Sequence, residues 1–522
     1  MPKFSAVSRR QAIVGVGASV AAASVSMSSA SAEDRADAAS TPAIVVVSNP
    51  VHDLSPYLYM QFMEPLGATD GSIEASWDHR RNRWRPDLIR ATKELGPTMM
   101  RWGGIFSDFY RWREAVGPRA GRKPMLNLLW GGIESNQIGT AEFVDFCRQV
   151  QADPLMCVNF ESDGRERYMR IGDSVRTADA AEAAEWVAYC NDEKHPERES
   201  HGYSQPHRIR HWQLGNETSY DRNGFDVATA CQKTIEFAKS MRKSDPEIEL
   251  IGWGDFARNG KSWAPRMIEE AGEHLQYIAF HHMFNPDDRK NPVLGNLKYR
   301  EDPDRTWNQL INAVGQHEQK IKRVRQTLPA NSPPLALTEC HFTISDRDRC
   351  DVLSSWAAGV AYARILNVHQ RHGDILKIAT AADYCGNRWQ VNAVMLPTPE
   401  GKGDAFLMPV ARVMSLYRHH VGKQHLTTTS TPDGLDVVAS RTGDTIYLHV
   451  VNTRRTQSVR TRLQTVGLTP MEAVAYQVAG EPEQEITRFQ SDIFNPVEKA
   501  LDVASVWDFP PASVSAIEIK CS

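Results

Sequence analysis

The chain has 522 residues, 41% hydrophobic and 24% charged, with a formal net charge of −4. That length calls for one large barrel with an addition, or for several units, and the composition is that of a soluble globular protein. The slightly acidic balance leaves no basic face for nucleic acid, and the eight cysteines stand singly, none at metal-knuckle spacing.

In chain order, Arg9 and Arg10 precede a short apolar run rich in Ala, Ser and Gly that closes on Ala30-Ser31-Ala32. This is the pattern of a twin-arginine export signal over residues 1–32, too short and weakly apolar for a stable membrane anchor. It predicts a periplasmic or secreted protein whose mature chain starts near Glu33. Residues 33–42 read as a disordered Ala/Asp/Ser stretch, and 43–52 ("AIVVVSNPVH") as an isolated strand ahead of the main fold.

Residues 53–392 alternate short apolar strands with longer amphipathic segments. The strands are "YLYMQFM", "TMMRWGG", "PLMCVNF", "RHWQLGN", "IELIGWG", "YIAFHHM", "PLALTEC" and "ILKIATA". Apolar spacing of three and four marks the intervening segments, such as "TAEFVDFCRQVQA" and "VATACQKTIEFAKSMRK", as helices. Eight strands alternating with helices predict an α/β fold, a (β/α)8 TIM barrel. A doubly wound nucleotide-binding sheet has no support, because no glycine-rich phosphate loop follows the first strand. After 393 the pattern becomes short strands between turn residues ("LDVVASRTG", "TIYLHVVNT", "SVSAIEIKC"), which predicts an additional C-terminal antiparallel β-sandwich over 393–522, joined by the early strand.

Barrels of this type keep their chemistry at the C-terminal ends of the strands. Those ends carry Glu64, the "RWGGIF" stretch after Arg101, Asn159 and Glu161, Asn216 and Glu217, His281 and His282, and Glu339. Ser–His–Asp, HExxH and Gly-x-Ser-x-Gly patterns are all missing from the sequence. Glu217 and Glu339 each end an apolar strand, three strand–helix units apart. Two carboxyl groups facing one another across a barrel mouth can cut a glycosidic bond, one protonated to assist the leaving oxygen and one ionised to attack the anomeric carbon. A metal site built on His281, His282 and the acids is the competing chemistry. Adjacent strand residues point to opposite faces, so both histidines cannot reach one ion, and we expect neither metal nor cofactor.

With these motifs in hand, the chain resembles an α-L-arabinofuranosidase of glycoside hydrolase family 51, in the clan of retaining (β/α)8 hydrolases. The likeness runs through "QFMEPLG", "MMRWGGIFSDFYRWREAVGPR", "NLLWGGIESNQIGTAEFVDFC", "VNFESDG", "HWQLGNE", "FHHMF", "LTECH" and "FPPASVSAIEI". The resemblance implies Glu217 as general acid/base and Glu339 as nucleophile. It implies Asn216 on the 2-hydroxyl of the sugar, Glu64 on a sugar hydroxyl in the deepest subsite, Trp130 on the aglycone side and His281 in support of the nucleophile. Arg101 and Asn159 join these as expected substrate-binding residues. A homo-oligomer is compatible with the resemblance, since its members are often hexamers.

Three departures stand out. "RWGGIF" lacks the family's proline and puts Ile105 where a polar residue touches the sugar; Met283 replaces a tyrosine that contacts the nucleophile; Cys340 replaces a tryptophan after it. Another specificity (β-xylosidase, galactofuranosidase or endo-glucanase), or a barrel that binds carbohydrate without turnover, stays open at this point. So does a Cys340–Cys350 pair.

Overall fold

The computed structural model describes residues 41–522 except 68–70, 72, 286–287, 289 and 345–347. The segment read as an export signal and the stretch to residue 40 lie outside the described residues.

Eight parallel strands follow one another in chain order through one sheet. They are Gln61–Met63, Met99–Trp102, Asp153–Val158, His211–Leu214, Glu249–Trp253, Tyr277–Phe284, Leu335–Phe342 and Leu376–Ala379. Each coincides with a strand read from the sequence. The two ends of the series meet where the Met60 N–H donates to the Ala379 carbonyl at 3.0 Å, so the sheet curls into a near-barrel. Past the eighth strand the sheet continues unexpectedly. Asp383–Gly386 pairs with the first strand at Phe62, and Asn392–Met395 and Phe406–Leu407 add to the edge.

Helices lie between the strands, and their ends follow local chemistry. Pro86 opens the helix to Leu95, and Gly96 closes it at φ 70, a left-handed turn that glycine adopts without a Cβ penalty. Asp226 caps the helix Val227–Ser244 by accepting the Thr229 N–H at 2.8 Å. The strands are mostly apolar, as a parallel sheet covered on both faces requires, and the buried exceptions include Gln61, Arg101, Gln213, His281, Thr338 and Glu339.

The second sheet has nine strands and begins at Gln424 rather than at 393. The helix Pro409–His419 before it packs on the helices Pro86–Leu95 and Trp356–Arg371, so this part of the expected sandwich belongs with the barrel. The early strand, Ala43–Asp53, sits inside the second sheet, antiparallel to Gln424–Ser430 and parallel to Val459–Val466. That parallel pair departs from the all-antiparallel expectation. Ile44, Val46, Leu448, Ile517 and Ala473 bury in one apolar cluster with Trp507 of the strand at one edge, Ala473 lying next to the opposite edge, so the sheet folds over on itself as a sandwich does.

Trp356 locks barrel to sandwich. It is fully buried, donates its indole N–H to the Ala512 carbonyl at 2.6 Å and lies against Phe494 at 4.9 Å. Trp356→Ala should destabilise the protein by about 3–5 kcal/mol, read as a lower urea midpoint for both parts together.

Candidate active site

The fourth strand ends at Leu214, and the next three residues turn sharply. Gly215 has φ 77, and a Cβ there would lie 2.5 Å from Thr218 Oγ1, so the turn needs glycine. Glu217 itself is left-handed at φ 55, an uncommon state for a residue with a side chain. The third strand supplies the support. Asp163 accepts the Asn216 N–H at 3.0 Å and the Thr218 hydroxyl, and Arg165 donates to the Glu217 carbonyl at 2.6 Å and to Asp108 at 2.7 Å. Glu161, Ser162 and Asp163 are also left-handed, so strain clusters where one strand exit braces another.

Glu339 leaves the seventh strand opposite His281 of the sixth. An irregularity in register between Phe280 and His281 makes Thr338 the extra residue, a device that re-aims side chains beside active sites. His281 Nδ1 lies 3.1 Å from Glu217 Oε1 and 3.6 Å from Glu339 Oε2, and Nε2 lies 2.9 Å from the Thr338 hydroxyl. One ligand-capable atom from each of Glu217, His281 and Glu339 falls within 4.8 Å of the others. Burial pushes the His281 pKa down to about 3, so the ring is neutral. The tautomer that satisfies every group donates from Nδ1 to the acids and accepts the Thr338 hydroxyl at Nε2.

Arg101 of the second strand is wholly buried beneath the acids. It donates to Glu339 Oε1 at 2.9 Å, Asn216 Oδ1 at 2.6 Å and Gln213 Oε1 at 2.8 Å. It pairs with the nucleophile candidate, and Glu64 finds a different partner, the Phe106 N–H at 3.1 Å. The double glycine of "RWGGIF" makes that possible. Gly104 has φ 103, and a Cβ there would stand 2.3 Å from Glu64 Cδ. Ile105 packs against the apolar core.

Burial raises the pKa of Glu64, Glu217 and Glu339; the charge of Glu339 raises Glu64 further, that of Glu217 raises Glu339, and that of Asp255 raises Glu217. Arg101 compensates one negative charge, and its direct bond selects Glu339 as the ionised member. Among the described residues Glu217 has only the neutral His281 as a side-chain hydrogen-bond partner, so the proton resides there. The same three side chains could present oxygens and a nitrogen to a cation, but an ion held there would fill the space between the two acids.

The remaining expectations divide. Trp130 stands beside Glu64, whose pKa it lowers against the larger upward effect of burial, and packs edge-on against Trp389 at 5.1 Å. Asn159 has protein partners at both ends of its amide. Its amide donates to the Tyr110 and Arg176 carbonyls and accepts the Ser162 N–H, which fixes the third-strand exit. His282 turns away from His281, as alternation requires, and meets His317 at 2.9 Å, which in turn meets His369 at 2.9 Å. Cys340 and Cys350 are both buried and free.

Sequence reasoning missed Asp163, Arg165, His341 and Asp383. His341 lies two residues past Glu339, on the same face of the strand. Burial opposes its charge, but Asp383, the Phe342 carbonyl, Glu339 and Glu217 together hold its pKa above 6.5. The spacing Glu-x-His was visible in the sequence; the nearness of Asp383 was not.

Residues 91–318 match the family model described as the α-L-arabinofuranosidase 1 domain, a stretch that includes Arg101, Glu217 and His281 but neither Glu64 nor Glu339. An intracellular exo-α-(1→5)-L-arabinofuranosidase of Halalkalibacterium halodurans is 31% identical over 303 residues, 55% of this chain and 56% of that protein. The chain spans about half the length of the curated relatives it matches. Among solved structures, the α-L-arabinofuranosidase of Thermotoga maritima in complex with arabinose has a TM-score of 0.71 at 22% identity, covering 92% of this chain and all of its own. The family 51 arabinofuranosidase of Xanthomonas axonopodis pv. citri has a TM-score of 0.74 at 19% identity, with the same coverage. At these identities the likeness concerns the fold.

Arg101→Ala should leave Glu339 buried and unpaired, costing about 3–5 kcal/mol of stability, read in urea unfolding, and should remove turnover. The histidine chain predicts an acid-sensitive fold. Burial lowers His282 and His369 to about 3, against 6.5 in the unfolded chain. Between those values the unfolded chain binds protons that the folded one excludes, so stability falls as pH falls. His369→Phe should flatten the slope of unfolding free energy against pH by up to about 1.4 kcal/mol per unit.

Proposed function

We propose that this relative of the α-L-arabinofuranosidases, which joins them through residues 91–318, is a retaining glycoside hydrolase that releases α-L-arabinofuranosyl units from plant-derived oligosaccharides. The proposal extends to the fold, with the near-barrel as the family's (β/α)8 barrel, and to location, with export through the Arg9-Arg10 signal. The observation that carries it is the convergence of Glu217 and Glu339 within 4.8 Å, bridged by His281. Retaining glycosidases hold their two carboxyls about 5–5.5 Å apart, whereas inverting ones leave room for a water between them, about 6.5–9.5 Å.

In the first step a Glu339 oxygen attacks the anomeric carbon as the bond to the leaving oxygen breaks, and the Glu217 proton passes to that oxygen. In the second step Glu217 takes a proton from water, the water oxygen attacks the anomeric carbon, and the ester to Glu339 breaks. Arg101 serves both states of the nucleophile and holds Asn216 Oδ1, which leaves the Asn216 amide nitrogen for the sugar. That nitrogen is buried with no protein partner among the described residues.

Glu339→Ala should lower turnover of nitrophenyl α-L-arabinofuranoside by about 10⁴-fold or more. Glu217→Ala should lower it by about 10²–10⁴ on poor leaving groups and regain rate with azide. Activity against pH should be a bell, its alkaline limb set by Glu217 above the ordinary carboxylate range of 4.5, and Glu217→Gln should remove that limb. Near-native rates in both Glu339→Ala and Glu217→Ala would overturn the reading.

A further inference from the structure

Between the seventh strand and the first, the wall of the site is built from two charged side chains that the reaction above does not use. His341 follows Glu339 by two residues and stands in register with Met283 of the sixth strand, a side chain with no hydrogen bond to give. Asp383 lies just beyond the eighth strand, in register with Phe62 and so beside the start of the turn that carries Glu64. His341 Nδ1 is engaged by the Phe342 carbonyl at 3.1 Å, which leaves Nε2 as the free end of the ring. Nε2 stands 3.9 Å from Asp383 Oδ1. That is too long for a direct hydrogen bond, and Oδ1 is buried without a hydrogen-bond partner among the described residues. A buried carboxylate oxygen left in that state is costly.

The spacing suits a third atom. An oxygen about 2.8 Å from both Nε2 and Oδ1 would subtend an angle of about 90° between them, within what a hydroxyl can serve as donor to one and acceptor from the other. The geometry points to His341 and Asp383 as a specificity-determining pair that takes one hydroxyl of the glycone, donating from the imidazole and accepting at the carboxylate. It adds to the polar groups of Arg101, Asn216 and Glu64 on the side where Met283 offers only apolar surface. The occupant is a neutral sugar hydroxyl. A substrate carboxylate would meet Asp383 as well as His341, and an amine would meet the reverse conflict.

The inference rests on the glycosidase reading, and the test separates the two. Nitrophenyl α-L-arabinofuranosides lacking one hydroxyl at a time are compared with the parent substrate in the native enzyme, Asp383→Asn, His341→Gln and Glu339→Ala. In the native enzyme one deoxy position other than the 2-position should lower kcat/KM by about 10- to 100-fold, the worth of a hydrogen bond to a charged group. In Asp383→Asn and His341→Gln that same position should cost less than about fivefold, with the penalties at the other positions unchanged. Equal penalties in native and variant enzymes, or a uniform loss across all analogues, would overturn the pair while leaving the acids in place. Turnover surviving in Glu339→Ala would overturn the reading of the site, and the pair's role with it. Melting temperatures of the variants within a few degrees of native exclude collapse of the wall as the cause of a changed penalty, and because His341→Gln and Asp383→Asn remove opposite halves of the slot, failure of one to fold leaves the other to decide.

Discussion

The structure around the acids depends on one buried cation. Arg101 is removed from water, and an isolated charge in that position would be prohibitively expensive. Its donors are met by a carboxylate of the seventh strand and two carboxamides at the end of the fourth, so the guanidinium is at once a charge partner and a geometric pin. Four carboxyl groups crowd the same volume, those of Glu64, Glu217, Glu339 and Asp383, and burial pushes all four upward. Without a fixed positive charge the low-polarity interior would leave all of them protonated and chemically equivalent. Arg101 breaks that equivalence, and a lysine could not, because a single ammonium cannot present a planar fork to three acceptors.

The second constraint is the backbone that aims Glu217. A left-handed residue following a glycine is strained, and the strain is held by Asp163 and Arg165 from the neighbouring strand exit, itself left-handed over three residues. Each strained turn is the other's scaffold. This reciprocal bracing fixes the backbone of the acid, and its side chain is engaged by His281 alone among the described residues.

How much of this was legible from the amino acids follows from the range of each signal. All eight parallel strands are apolar runs ended by turn chemistry, a local pattern, and so are the two acids that terminate them. The continuation of the sheet at Asp383–Gly386 and Asn392–Met395 was not legible, because four-residue strands flanked by glycine and tryptophan carry no period. The helix at 409–419 was absorbed into the expected sandwich for the same reason that the boundary slipped: a single amphipathic helix between two strand-rich regions does not announce which core it faces. The parallel pairing of Ala43–Asp53 joins segments more than 400 positions apart in the chain, beyond any pattern within a window. Asn159 shows a different limit. A carboxamide at a strand end can face a ligand or tie down a loop, and residue type does not say where the amide points.

The strand Ala43–Asp53 sits inside the second sheet, flanked on both sides by segments made near the end of synthesis. Made early in synthesis, it waits while some 370 further residues are translated before Gln424–Ser430 exists to receive it. At about 5–20 residues per second that interval is roughly 20–75 s. Throughout it, a β-branched ribbon carrying Ile44 and Val46 has its edges open to any passing chain. The sandwich therefore cannot assemble co-translationally. Its earliest piece is housed last, between two segments of the chain's final hundred residues.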